Sequence, residues 1–300
     1  MSLIENTLGK VRRAAAAAAK SESLAPPRAL GVPGVGVPVE ARPDSPTMPD
    51  YDYRRVAVDI FALRAAGHLS DASEDQRFAE HFRRIKRSVV AKAIGAGAAA
   101  DARLVAVTSP LPGDGKTFTS INLAFSLSRE RDLSVLLVDA DLHKSQITRD
   151  LRLEDQPGLV DALLDESRDA ESFVLRTDIP GLDILPAGRS VEDAPELAAS
   201  ARMAQIVTRL VARNPRRLVL LDCAPVLAAS EVQGLMQLPG QVLLVVRAGQ
   251  TPQQAVVDAI AQLDPKRLQG LILNDARHGA ATYYGYSGYY GALDDAARAG

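Results

Sequence analysis

The segment from Ser109 to Thr117 reads Ser-Pro-Leu-Pro-Gly-Asp-Gly-Lys-Thr and sets glycines, a lysine and a hydroxyl side by side. Glycines let a backbone bend around an anion, a lysine adds positive charge, and a threonine hydroxyl can ligate Mg²⁺. The spacing predicts a loop that binds ATP and Mg²⁺, although Pro110 stands where the strict pattern has its first glycine. The nucleotide-binding residues predicted from this segment are Pro112, Gly113, Asp114, Gly115, Lys116, Thr117 and Phe118.

Three aspartates follow apolar runs that have the length of buried strands: Asp139 and Asp141 come after the run 135–138, and Asp222 comes after 218–221. An aspartate at a strand end beside a phosphate loop holds Mg²⁺ directly or through water. Either Asp139 or Asp141 can orient or deprotonate an acceptor hydroxyl, and the sequence does not choose between them. We predict as metal ligands Thr117, Asp139 and Asp222, and as catalytic residues Lys116, Asp139 and Asp141.

The elements that must position these residues alternate between strand and helix. Short apolar runs predict strands at 104–107, 135–138, 182–185, 218–221, 242–246 and 268–273. Helices are predicted at 74–94, 116–131, 195–213 and 252–263. This pattern predicts an α/β fold of the P-loop NTPase type, in which helices cover both faces of a mostly parallel sheet. Ligands of such sheets bind beyond the carboxyl ends of the strands, where the loop and the aspartates fall.

Composition limits the classes of protein that fit this sequence. Apolar residues make up 47% and charged residues 24% of the 300 residues, as in a globular protein, and the net charge of −2 argues against nucleic-acid binding. The single cysteine excludes an intrachain disulfide and indicates a reducing compartment. No apolar run approaches the roughly 20 residues that cross a bilayer. We therefore expect a cytoplasmic protein.

The sequence divides into four regions along the chain. We predict a mostly disordered segment at 1–50, a helical oligomerisation region at 51–97, a phosphate-loop domain at 98–280 and a flexible tyrosine-rich tail at 281–300. The tail is either a sticky aromatic segment or a strip of phosphate acceptors, and a phosphate loop in the same chain favours acceptors. Five of the seven tyrosines lie there, namely Tyr283, Tyr284, Tyr286, Tyr289 and Tyr290.

Together these residues resemble the bacterial tyrosine kinases (BY-kinases) of polysaccharide export systems, in particular the exosortase-associated tyrosine autokinases. The resemblance extends over nearly the whole chain. It is carried by the loop 109–117, the Asp-Ala-Asp segment 137–142, the segment 220–226, the basic helix segment 82–87 and the tyrosine-rich end. It implies an ATP-dependent kinase that phosphorylates its own C-terminal tyrosine cluster in trans and regulates exopolysaccharide synthesis and export.

The resemblance also implies roles for single residues. Asp222 would be the Walker B carboxylate, and Asn274 would contact the adenine. Such kinases assemble as rings through a Glu-x-x-Arg-x-x-Arg helix, which here has Lys86 in the last position, and lysine cannot make the forked contact of arginine. The oligomerisation residues implied are Glu80, Arg83, Lys86 and Arg87.

The implied partners are other copies of the chain, a phosphotyrosine phosphatase, and a membrane-bound polysaccharide co-polymerase that activates the kinase at the inner face of the cell membrane. Two alternative functions remain. An ATP-driven switch of the partitioning or division-site type shares the fold, but its signature lysine is replaced here by Leu111 and it lacks a terminal tyrosine cluster. An ATP-binding regulator without catalysis is the other, and the intact lysine and aspartates argue against it.

Overall fold

The computed structural model describes residues 51–70, 76–95, 97–229 and 232–276, and within these ranges eight strands form one sheet. The order across the sheet is β1-β4-β5-β3-β6-β2-β7-β8. The strands are β1 (Arg54–Val56), β2 (Leu104–Thr108), β3 (Ser134–Asp139), β4 (Leu175–Thr177), β5 (Leu182–Leu185), β6 (Arg217–Asp222), β7 (Gln241–Arg247) and β8 (Leu268–Asn274).

The sheet is mostly parallel, as predicted. Among the described strands, the pairing of β4 with β5 is antiparallel and every other neighbouring pair is parallel. As a result, β1 and β4 run opposite to the six strands that form the rest of the sheet. The carboxyl ends of those six strands meet at one edge, and β3, β6 and β2 lie next to one another at its centre.

Helices cover both faces of the sheet, which is the predicted layering. They are α1 (Ile60–Ala65), α2 (Gln76–Ile94), α3 (Lys116–Leu127), α4 (Gln146–Asp150), α5 (Leu159–Leu164), α6 (Ala194–Ala198), α7 (Ala201–Arg213), α8 (Val232–Leu235) and α9 (Gln253–Ala261). Side chains of a strand alternate between the two faces, so β2 supplies Leu104 and Ala106 to one apolar cluster and Val105 and Val107 to the other. Packing of helices on both faces therefore fixes the positions of the central strands.

The structure differs from the local predictions at several points. The strands β1 and β4 were not predicted, because each has only three residues and their exposed arginines hide the apolar pattern. The helix predicted at 195–213 is two helices, since the Ser200 hydroxyl accepts a hydrogen bond from the Met203 N–H and so begins α7 anew. Helix α3 ends at Leu127, four residues earlier than predicted.

Contacts at several places join the region 51–97 to the rest of the fold, and two of them involve buried side chains. At the first, a buried ion pair joins Arg217 Nη1 and Nη2 to the two oxygens of Glu171 at 2.7 Å each, and the Tyr53 hydroxyl donates to Glu171 Oε1 at 2.7 Å. At the second, Gln241 Nε2 of β7 donates to the Val89 carbonyl of α2 at 3.1 Å. These contacts tie both β1 and α2 to the central layer.

The segments 1–50 and 281–300, for which disorder and a flexible tail were predicted, lie outside the described residues. Within the part of the chain that the structure describes, no helix has both the length and the apolar character needed to cross a membrane.

Candidate functional site

The carboxyl ends of β2, β3 and β6 bring the predicted phosphate loop and aspartates together. Asp139 of β3 and Asp222 of β6 are paired directly across the two neighbouring strands. The loop 109–115 leaves β2, the strand on the other side of β6, and leads into α3. The parallel register therefore places Lys116 and the aspartates at one point of the sheet edge.

Glycines give the phosphate loop its shape. Gly113 and Gly115 have φ angles of 89° and 96°, in the left-handed region that disfavours side chains. A Cβ atom at Gly115 would also overlap the side-chain amide of Asn274. Gly115 precedes the first residue of α3, so the N–H groups at the start of this 12-residue helix point toward the loop and favour an anion there. Pro112 and Gly113 are exposed at the rim of the loop.

Lys116 is the positive centre of this cluster. Its Nζ lies 2.7 Å from Asp141 Oδ2 and 3.6 Å from Asp222 Oδ2, and its side chain is 9% exposed. Burial acts to lower the pKa of the Lys116 ammonium, but Asp222 and Asp141 outweigh that effect and the net pKa is raised. The lysine is therefore charged at neutral pH and balances two buried carboxylates.

Thr117 and Asp222 form the second contact of the cluster. The Thr117 hydroxyl donates to Asp222 Oδ2 at 2.7 Å, and the Ser120 hydroxyl donates to Asp222 Oδ1 at 3.1 Å. Burial raises the pKa of Asp222, and Lys116 with Thr117 and Ser120 works against that rise. Ser120 was not singled out from the sequence, although a hydroxyl one helical turn after Lys116 faces the same strand end and could have been found by that spacing.

Asp139 lies deeper and is held by Thr148. Its Oδ2 accepts from the Thr148 N–H at 2.8 Å and from the Thr148 hydroxyl at 2.7 Å. Burial, together with the nearby charge of Asp222, raises the pKa of Asp139 to about 7, against the lowering effect of Thr148 and Lys116. Asp139 Oδ1 is buried and has no hydrogen-bond partner in the described part of the chain. No sequence signal pointed to Thr148.

The residues present fit a magnesium ion. Mg²⁺ takes oxygen ligands and is commonly held in nucleotide sites by one hydroxyl, one or two carboxylates and phosphate oxygens. Thr117 Oγ1 and Asp222 Oδ2 are adjacent, and the free Oδ1 of Asp139 adds a third oxygen in the same buried cluster. This donor set is entirely oxygen, as the ion requires.

A cavity of about 960 Å³ opens beside the phosphate loop. Its wall includes Gly113 and Phe118 of the loop region, Asn274 at the end of β8, and the aromatic rings of Phe78 and Phe82 from α2. Phe78 packs edge-on against Phe118, with ring centroids 5.8 Å apart. The cavity is large enough for a nucleoside, and it is continuous with the loop. Asn274 also donates from Nδ2 to the Asp114 carbonyl at 3.1 Å, so its amide nitrogen contacts the loop backbone.

The predicted oligomerisation residues lie along α2, and three of the four have partners within the chain. Glu80 pairs with Arg83 at 2.9 Å, and Lys86 Nζ lies 2.6 Å from Glu130 Oε1 beyond the end of α3. Arg87 is exposed. The five tail tyrosines, at 283, 284, 286, 289 and 290, fall outside the described residues.

Comparisons with known proteins agree on one group. The AAA domain family model matches residues 102–264. The chain is 35% identical over 190 residues to the putative tyrosine-protein kinase EpsB of Ralstonia solanacearum, covering 63% of this chain but only 25% of that protein. It is 31% identical over 186 residues to the tyrosine-protein kinase YwqD of Bacillus subtilis, covering 61% of this chain and 77% of the relative.

A solved structure shows the same arrangement of elements. The kinase domain of the Escherichia coli tyrosine kinase ETK superposes with a TM-score of 0.61 at 25% sequence identity, covering 71% of this chain and 81% of that domain. The chain spans about a quarter of the length of the Ralstonia relative, so this likeness concerns one part of that larger protein.

Proposed function

Because the chain belongs to the AAA domain family and to the bacterial tyrosine kinases, we propose that it transfers the γ-phosphoryl group of ATP to tyrosine hydroxyls, including those of its own C-terminal cluster. One observation carries the proposal. Lys116 lies within ion-pair distance of both Asp141 and Asp222, directly beside the Thr117 hydroxyl. A lysine, a hydroxyl and acidic groups at one strand edge are the parts that phosphoryl transfer needs.

In this proposal the residues of the chain mainly position groups and neutralise charge. The loop N–H groups and Lys116 hold the phosphates, and the Lys116 ammonium exchanges its carboxylate partners for phosphate oxygens. Thr117 and Asp222 would hold Mg²⁺, and the bound ion would supply positive charge that stabilises the phosphate groups. These interactions lower the barrier by stabilising the charge of the transition state.

The transfer forms a bond between the tyrosine oxygen and the γ-phosphorus and breaks the bond from that phosphorus to the β,γ-bridging oxygen, which leaves with ADP. The tyrosine proton passes to a carboxylate at the site. Asp139 and Asp141 are both candidates: Asp141 borders Lys116 directly, and Asp139 has a pKa of about 7, near the working pH of a proton acceptor. Separate Asp139→Asn and Asp141→Asn variants distinguish them, because loss of the acceptor lowers kcat more than it raises KM.

The cofactor and partners follow the same proposal. ATP with Mg²⁺ is the phosphoryl donor, and copies of the chain assemble through α2 so that the tail of one copy reaches the site of another. The exposed positions of Arg83 and Arg87 on α2 support a contact there. A membrane-bound polysaccharide co-polymerase activates the kinase at the cytoplasmic face, and a phosphotyrosine phosphatase reverses its action. The resemblance to kinases of polysaccharide export supports these two partners.

The deciding experiment maps phosphate by mass spectrometry. Purified protein is incubated with ATP and Mg²⁺ beside Lys116→Met, a chain truncated after Thr282, and Lys266→Met, a matched control at an exposed lysine. Phosphotyrosine within 283–290 is expected for the unaltered protein and for Lys266→Met, and not for Lys116→Met. Circular dichroism at the assay temperature verifies that each variant is folded.

Two other outcomes would overturn the proposal. ATP hydrolysis that leaves every tyrosine unmodified indicates an ATP-driven switch, and ATP binding with neither hydrolysis nor transfer indicates a regulator.

Transfer between copies is tested by mixing the truncated chain, which has an intact site, with full-length Lys116→Met. Phosphate on the tail of Lys116→Met is expected in that mixture and would be absent if transfer occurred only within one copy.

A further inference from the structure

The phosphate loop contains a buried carboxylate that plays no part in the proposed transfer. The Asp114 residue is 4% exposed, and each of its carboxylate oxygens accepts a hydrogen bond. Oδ2 accepts from the Leu111 N–H at 2.9 Å, within the loop itself. Oδ1 accepts from the Thr251 hydroxyl at 2.7 Å, which comes from a different part of the chain. A negative charge in a loop that binds anions is unfavourable, so its full hydrogen bonding calls for an explanation.

Thr251 is itself fixed in place. It lies in the turn after β7, two residues before the start of α9, and its Oγ1 accepts from the Arg247 N–H at 2.9 Å. The hydroxyl proton is thus free to point at Asp114, and it does so at a distance typical of a strong O–H···O⁻ bond. The turn after β7 therefore holds the phosphate loop from one side.

Asn274 holds the same loop from β8. Its Nδ2 donates to the Asp114 carbonyl at 3.1 Å, and its amide occupies the space that a Cβ atom of Gly115 would need. The next residue, Asp275, has a φ of 54° and forms an ion pair with Arg247 at 3.2 Å. This ion pair joins the end of β8 to the turn that carries Thr251, so the two supports of the loop are connected to each other.

We propose that Thr251 and Asn274 are positioning residues that clamp the phosphate loop through Asp114, with the Asn274 amide acting on the loop backbone. The inference rests on the proposed function, since it concerns how the same site holds the phosphates. Asp114 ties the loop to two neighbouring strand ends and keeps its N–H groups aimed at the ligand before the ligand arrives. Such preorganisation strengthens the binding of the phosphate chain itself, whatever base is attached to it.

A ligand with a base and a ligand without one distinguish a residue that positions the loop from a residue that contacts the base. ATP and inorganic tripolyphosphate, each with Mg²⁺, are titrated into the full chain in a calorimeter. The variants are Thr251→Val, which keeps the shape and loses the hydroxyl, Thr251→Ser, which restores it, and Asn274→Ala. Thr177→Val is the matched control. Thr177 lies in β4 and its hydroxyl donates to the Leu182 carbonyl of β5, and three strands separate β4 from β2 and its phosphate loop.

Each of the variants Thr251→Val and Asn274→Ala is expected to weaken the binding of ATP and the binding of tripolyphosphate equally. The expected loss is roughly 5- to 30-fold, as for a lost hydrogen bond to a charged or buried group. Thr251→Ser recovers most of the affinity. Thr177→Val lowers the melting temperature and leaves both affinities unchanged. In the kinase assay the KM for ATP rises in the clamp variants while kcat changes little.

Three results would overturn the inference. Unchanged affinities in Thr251→Val show that the hydroxyl does not position the loop. A loss confined to ATP in Asn274→Ala shows that this residue contacts the base. Failure of Thr251→Ser to restore affinity shows a packing effect. Because binding is measured without transfer, a protein that binds both ligands but phosphorylates nothing refutes the proposed kinase activity and leaves the clamp standing.

Discussion

Replacing Lys116 by methionine should destabilise the nucleotide-free protein, and the size of the loss should depend on pH. Lys116 Nζ lies 2.7 Å from Asp141 Oδ2 and 3.6 Å from Asp222 Oδ2, all of them nearly excluded from solvent. Coulomb's law with an effective dielectric constant near 20 gives roughly 6 kcal/mol for the shorter contact, much of it offset by dehydration. Removing one partner of a buried pair costs about 3–5 kcal/mol.

The pH dependence follows from the carboxylates that are left without a partner. The pKa of Asp222 is already raised by burial, and Lys116 works to lower it, so the variant must raise it further. A carboxyl whose pKa is higher in the folded than in the unfolded state binds extra protons when folded, so stability falls as pH rises through that window. The deficit of Lys116→Met should therefore be largest near pH 8 and smaller near pH 5.

Thermal unfolding in a calorimeter, with a chelator and without nucleotide, measures this difference. A loss of that size lowers the melting temperature by roughly 6–20 °C for a domain of this size. The double variant Lys116→Met/Asp222→Asn should recover part of the loss, since the unpaired charge at Asp222 is gone, and Lys266→Met is the control. The reasoning is refuted if Lys116→Met matches the unaltered protein at pH 8, or if the double variant is no more stable than the single one.

Three further outcomes are expected. Asp139→Asn should become more stable relative to the unaltered protein as pH rises from about 4 to about 7, because the native carboxyl has a pKa of about 7. The difference in the free energy of unfolding should grow by on the order of 1.4 kcal/mol per pH unit. A difference in urea denaturation that stays constant with pH would contradict this. Tyr53→Phe should lower the free energy of unfolding in urea by about 1–2 kcal/mol, since Glu171 loses a hydroxyl partner at 2.7 Å, and an unchanged midpoint would show that this bond contributes nothing. Gly115→Ala should weaken the binding of a fluorescent ATP analogue by at least about tenfold, because its φ is 96° and a side-chain amide fills the space for a Cβ, whereas Gly234→Ala, in open space, should bind normally.

The sheet and the central site could be predicted because both depend on regular patterns. Continuous apolar runs such as 218–221 mark buried parallel strands, and their carboxyl ends must meet at one edge. Recognising the strands therefore placed Lys116 and Asp222 at the same edge, and the pairing of β2 with β6 brings Lys116 Nζ to 3.6 Å from Asp222 Oδ2. Glycine spacing fixed the loop for the same kind of reason, since few residues tolerate its backbone angles.

The supports of the site could not be predicted, because they arise only when separate elements have packed together. Thr148 reaches Asp139 only after β3 and α4 have packed, and Thr251 is 137 residues away from Asp114. Hydroxyl residues occur throughout the sequence, and no spacing rule separates these two from the rest. Strand β1 was missed because three residues carry too little pattern, although its pairing with β4 is definite in the structure.

The order of the strands also determines where the protein can be attached to a surface without blocking its candidate site. With β1 and β8 as the outermost of eight strands, seven spacings of about 4.8 Å put some 34 Å between the two margins. The phosphate loop and the cavity beside it lie toward the β8 margin. An attachment at the exposed Arg55 of β1 would therefore leave the opposite margin open. A second copy from solution could still bind to a molecule immobilised in that way. The rate of that association could then be measured while the candidate site stays accessible.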